Sequence, residues 1–192
     1  MMLRLPWLVP AVALGVLFSV AVPGARAQSP APPQTVSGTG FQFQVPAAWQ
    51  TDQMTTTQRR GAEVVTDDAA VASPDGSLRG HMEIASGFGL TKDHLPDVLG
   101  AFLGIGQGGD AAGTAPIASL AGPDTVQVAN ADSGLSGAAL YTDPSGASRV
   151  MAARIALRGD TSYMLILDVT KDFYQSDPSF AAIMNSLQLT TP

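Results

Sequence analysis

His81 and His94 are the only histidines in this 192-residue chain, and it has no cysteine. Acid–base, nucleophilic or metal chemistry must therefore draw on these two rings and on carboxylates. His81 and Glu83 stand two residues apart, which places both side chains on one face of a strand. That is close enough to ligate one ion. His94 or Asp67-Asp68 can supply a third ligand, although no spacing demands it. The simpler reading of the same residues is a solvated polar strand face.

Other catalytic templates find less. Gly104-Ile-Gly106-Gln-Gly-Gly109 matches G-x-G-x-x-G. A dinucleotide site needs those glycines after a strand and at the start of a helix. Here they follow a helical pattern and open a glycine-rich stretch, Gly104–Pro116, and no lysine stands where a phosphate loop needs one. There is no G-x-S-x-G elbow, and no motif ties either histidine to a serine. The 16 acidic residues offer many carboxylate pairs without singling one out. Arg158-Gly159-Asp160 spells the integrin-binding tripeptide, but Gly-Asp is also what a tight turn selects. The expected class is non-enzymatic. No catalytic, cofactor-binding or metal-binding residue is assigned and no cofactor is expected.

Charge narrows the partners. The chain carries 10 basic and 16 acidic residues, net −6. Residues 1–27 hold Arg4 and Arg26 and no acid, so their removal leaves 8 basic and 16 acidic residues, net −8. Phosphate recognition relies on clustered Lys and Arg, and only Arg59-Arg60 are adjacent. Nucleic acid is not an expected partner.

The N-terminus has the three parts of a secretory signal peptide: Arg4, the apolar run Trp7–Val22, and Ala25-Arg26-Ala27 before Gln28. At 16 residues, flanked by Pro6 and Pro23 and broken by Pro10, the run is shorter than the roughly 20 residues a spanning helix needs. Cleavage after Ala27 is expected, giving a periplasmic or secreted protein with no stable membrane insertion. Residues 28–38, with Pro30, Pro32 and Pro33, read as an extended linker, and residues 39–192 as one domain.

The elements of that domain follow from periodicity. Phe41-Gln-Phe-Gln-Val45 alternates strictly and reads as the first strand. Asp52–Gly61 looks like an exposed loop. A second strand lies around Ala62–Thr66 or Ala69–Ser73, and Ser73-Pro-Asp-Gly76 is a turn. Leu78–Ser86 is the third strand. A helix follows, capped by Thr91 or Asp93, the latter favoured by Pro96 in the first turn. Leu95, Val98, Leu99, Phe102 and Leu103 form its stripe. A strand at Thr125–Ala129 precedes a meander of Gly137–Tyr141, Arg149–Leu157 and Ser162–Val169. In the middle segment Met151, Ala153, Ile155 and Leu157 share one face, with Arg154 and Arg158 on the other. Tyr163–Leu167 hardly alternates, as a strand covered on both faces should. Asp177 caps a last helix with Pro178 at its first position and Phe180, Ile183, Met184 and Leu187 as its stripe.

Phe43-x-Val45-Pro46-x-x-Trp49, Ser73-Pro-Asp-Gly76 and Phe180-x-x-Ile183-x-x-Ser186-Leu187 together resemble the PsbP-like family over roughly Thr39 to Leu189. The elements read above run in the order βββ-α-ββββ-α, and the resemblance implies an α/β (α+β) fold in which a curved antiparallel sheet, here of about six to seven strands, lies between helices. It also implies an accessory or binding role. The expected function is that of an exported non-catalytic envelope protein acting through protein contacts, its partner an envelope protein or a small ligand. The contact surface is expected on the sheet face away from the C-terminal helix, with the Gly104–Pro116 stretch. The alternative is a metal-dependent or hydrolytic enzyme using the His81/Glu83 strand face.

Overall fold

The computed structural model describes residues 31–53, 55–104 and 116–191. Two antiparallel sheets pack together. The larger is built on β5 (Glu63–Ala72), β6 (Leu78–Ser86), β7 (Pro116–Thr125), β8 (Ser133–Thr142), β9 (Ser148–Arg158) and β10 (Thr161–Thr170), with short edge strands β3 (Gln50–Asp52) and β4 (Thr56–Arg60). Its order is β3-β5-β6-β10-β9-β8-β7, with β4 beside β3 along the outer edge of β5. The smaller sheet has β2 (Phe41–Val45) between β1 (Gln34–Gly38) and β11 (Gln188–Leu189).

The central strand β10 shows why the sheet is covered on both sides. Tyr163, Leu165, Leu167 and Val169 enter one core with Phe41, Phe43 and Val45 of β2 and with Ile183, Met184 and Leu187 from the C-terminal helical segment. Met164 and Ile166 enter the other, beneath Leu95, Leu99 and Leu103. Helix α1 (Leu95–Phe102) lies over that second face, while α2 (Lys171–Ser176) and α3 (Pro178–Ser186) lie with the small sheet over the first. Burial of a side chain such as Leu165 stabilises by roughly 1.5–3 kcal/mol, so these two clusters are what hold the layers together. Gly137 in β8 lets α1 sit close, since a Cβ there would stand 3.0 Å from Leu103 Cδ1 and 3.4 Å from Leu99 Cδ2.

Helices α1 and α3 begin where the sequence provides a cap. Asp177 accepts from the Ser179 N–H at 2.8 Å, with Pro178 at the first position. At α1 it is Thr91, not Asp93, that starts a short 3₁₀ turn (Lys92–His94) leading into the helix. His94 Nδ1 there accepts from the Thr91 backbone N–H at 3.1 Å.

Several elements depart from the expected ones. The segment read as linker over 28–38 includes β1, because Gln34–Gly38 pairs in full with Phe41–Val45 and buries Val36. Asp52–Gly61, read as a loop, contains β4, which is exposed along its whole length and held to β5 by backbone bonds. A strand with no buried face leaves no hydrophobic alternation to read. The strand expected at Thr125–Ala129 is β7 at Pro116–Thr125, whose pairing with β8 shifts register three times, the last across Gly122-Pro123. β11 has only two residues and needs β2 as its template. β2 with the six long strands and the two longer helices keep the expected order βββ-α-ββββ-α. Residues 1–27 and most of the Gly104–Pro116 stretch lie outside the described residues.

Candidate functional site

A bulge in β5 creates the site. Asp67 pairs with Glu83 and Asp68 with Met82, and the register then slips so that Ala70 pairs with His81. Ala69 occupies the slip with φ 48°, a left-handed conformation that is strained for alanine. Simple alternation would put Asp67 and Val71 on one face. The bulge sends Val71 into the core at 3% exposure and leaves Asp67 on the opposite face with His81.

That opposite face carries an open cleft of about 360 Å³ where α1 no longer covers the sheet. Asp67 and His81 line one side and Arg79 and Asp168 the other, with Met151 and Ile166 in the apolar lining. Both apolar residues continue the cluster beneath α1 outward. The Nε2 of His81 is 3.9 Å from the Oδ1 of Asp67, an ion-pair distance too long for a hydrogen bond. Burial pushes the His81 pKa below its ordinary value of 6.5, against the pull of Asp67, so the ring is neutral at pH 7. Burial, and next the charge of Asp67, raises the Glu83 carboxyl.

Asp168 anchors the other side. Its Oδ1 accepts from Arg149 Nε at 2.8 Å and from the Tyr141 hydroxyl at 2.6 Å, and its Oδ2 from Arg79 at 3.4 Å. Arg149 also donates to the Asp168 carbonyl at 3.3 Å. Cross-strand register brings these groups together: Arg149 pairs with both Tyr141 and Thr170, and Asp168 pairs with Arg79. The Tyr141 pKa is pushed up to about 12, by burial first and then by the neighbouring carboxylate.

His81 and Glu83 therefore share a face as expected, and Asp67 joins them. His94 does not, since it is exposed and engaged at the start of the helical segment. Among the described residues no group of three His, Cys, Asp or Glu side chains can hold one metal ion, so the set His81–Glu83–His94 is not formed. The cleft offers a neutral imidazole with a carboxylate beside it, and a cationic side partly balanced by Asp168. Such an arrangement can accept hydrogen bonds and pair with charge.

The Arg158-Gly159-Asp160 tripeptide lies at the β9–β10 hairpin, but its arginine is turned inward. Arg158 donates to the Thr190 carbonyl and to the Tyr163 hydroxyl, and lies 5.4 Å from the centre of the Tyr163 ring. It tethers the C-terminal tail rather than presenting an adhesive motif. Two features escaped the sequence reading. The Tyr141–Arg149–Asp168 group depends on strand register. Arg154, placed on a polar face by alternation, is in fact buried.

This architecture is the PsbP-like fold. Cyanobacterial PsbP (CyanoP) from Synechocystis sp. PCC 6803 matches 92% of this chain over 99% of its own length, with TM-score 0.54 and 14% identity. LpqN, involved in cell envelope biogenesis of Mycobacterium tuberculosis, matches 83% of this chain over 91% of its own, with TM-score 0.52 and 12% identity. At these identities the likeness is one of fold. No protein-family model and no curated protein sequence matches the chain.

Proposed function

We propose that this is an exported, non-catalytic accessory protein of the bacterial envelope, which binds a protein partner through the open cleft of its outer sheet face. The observation that carries the reading is incomplete cover. Helix α1 closes the β8–β10 side with an apolar cluster, while the β5–β6–β10 side keeps an apolar lining flanked by Asp67, His81, Arg79 and Asp168. A partly apolar surface rimmed by charges of both signs suits a protein contact. That LpqN, which shares the fold, is involved in cell envelope biogenesis supports an envelope role, and the signal-peptide pattern of residues 1–27 supports export. No helix among the described residues is long and apolar enough to cross a membrane, in keeping with a protein free of the bilayer after processing.

A photo-crosslinking amino acid placed at Arg79 or His81 in cells tests the reading, with Asp172 on α2 as the control position. A discrete adduct formed from the cleft positions and not from Asp172 supports it. Equal adducts from both faces, or none from the cleft, refutes it.

A further inference from the structure

The opposite face of the sheet holds a second cavity, about 160 Å³, between α3 and strands β7–β9. Arg154, Asn185, Ser136 and Asp124 supply its polar lining, and Phe180 and Met184 are among its apolar walls. The register explains the grouping, because Arg154 pairs with Ser136 and Ser136 with Asp124 across three adjacent strands. Arg154 is only 7% exposed. Among the described residues no carboxylate forms an ion pair with it. One of its terminal nitrogens donates to Asn185 Oδ1 at 2.9 Å, and its buried Nε has no partner among the described residues. Burial alone lowers its pKa, with no neighbouring acid acting against it.

A guanidinium withdrawn from water and left without a counter-ion is costly to keep. Asn185 belongs to the last turn of α3, so the negative end of that helix dipole offsets part of the cost. It does not satisfy the orphaned Nε–H. The planar fork of arginine matches a carboxylate in two-point geometry, and the walls beside it are apolar. Asp124, exposed and also lining the cavity, repels a second negative charge. We propose that this cavity binds a small organic monocarboxylate. Its carboxylate pairs with Arg154, and its short apolar chain packs against Phe180 and Met184.

The test is nitrogen-detected NMR on the protein as isolated from the cell, following the Arg154 Nε–H signal during titration with butyrate. Butyramide, succinate and inorganic phosphate are titrated in parallel. A saturable shift with butyrate is expected, with butyramide and succinate at least about tenfold weaker, since each lacks the charge match. Absence of a saturable Nε–H shift with butyrate, or equal binding of butyramide, overturns the site. Tighter binding of phosphate or succinate overturns the monocarboxylate assignment. Arg154→Met should abolish binding. Because that change also removes the tie to Asn185, Ala181→Phe provides a second variant, placed at an exposed α3 position lining the cavity. With wild-type melting, Ala181→Phe should weaken butyrate by at least about tenfold through steric filling, and unchanged affinity refutes the proposal.

Discussion

The Nε of Arg149 donates to Asp168 Oδ1 at 2.8 Å, in a pair whose side chains are 9% and 18% exposed. Arg149 belongs to the start of β9 and Asp168 to the end of β10, so the bond closes one end of the central hairpin. The same carboxylate oxygen takes the Tyr141 hydroxyl from β8, linking three strands through one atom.

Asp168→Asn should destabilise the protein by about 2–4 kcal/mol, close to the cost of leaving a buried cation unpaired. Urea unfolding with an unchanged slope checks this. The same variant should lower the Tyr141 pKa from about 12 towards the ordinary tyrosine value. In the wild type the folded protein holds the Tyr141 proton above the pH at which the unfolded chain releases it. The resulting stability is present below roughly pH 10 and is lost as pH rises towards 12. Absorbance at 295 nm should show a late ionisation that Tyr141→Phe removes.

His81 should titrate below 6.5, because burial outweighs the attraction of Asp67. A depressed folded pKa means that stability from the neutral ring is present above 6.5 and lost as pH falls through the folded value. Asp67→Asn removes the opposing charge and should lower the His81 pKa further. Proton NMR of the ring across pH 4–8 (roughly the range in which histidine titrates) decides it, and a rise in the variant contradicts the geometry.

Trp49 sits half-buried at the edge of the larger core. Its ring meets Phe173 of α2 at 6.1 Å between centroids and a 52° tilt. Trp49→Ala should therefore cost about 1.5–3 kcal/mol, less than the roughly 3–5 of a fully buried ring. Trp49 is the only tryptophan in the chain after Ala27. Its fluorescence maximum should lie between those of buried and fully hydrated indole, and a fully hydrated maximum contradicts the contact.

Processing should occur after Ala27, yielding a protein that begins at Gln28, as the small residues Ala25 and Ala27 and the proline-bearing segment beyond them direct. Ala27→Asp should block cleavage and hold the precursor in the membrane fraction. Intact mass is the measurement, and Met1 on the bulk of the soluble protein refutes export.

Local chemistry was legible along the chain wherever a residue's role depends on its near neighbours. Alternation in Phe41–Val45, the continuous apolar run Tyr163–Leu167, and the Asp177-Pro178 cap each specify their element without distant partners, and each forms as expected. The order of long strands and helices follows from the same signals. What the tertiary structure decided is which strands become neighbours and where their registers slip. β10 returns between β6 and β9, and only that return brings Asp168 to Arg79 and Ile166 to His81. The bulge at Ala69 aims Asp67 at the cleft, and no local pattern marks it, since Asp67-Asp68 reads equally well as a break in the strand. Alternation placed Arg154 opposite Met151, Ala153 and Ile155, which is correct, and took that face for the wet one. That face is buried as well, because α3, some thirty residues later, packs over it. Periodicity separates the two faces of a strand, but only the packing of distant segments determines whether one or both of them lose their water.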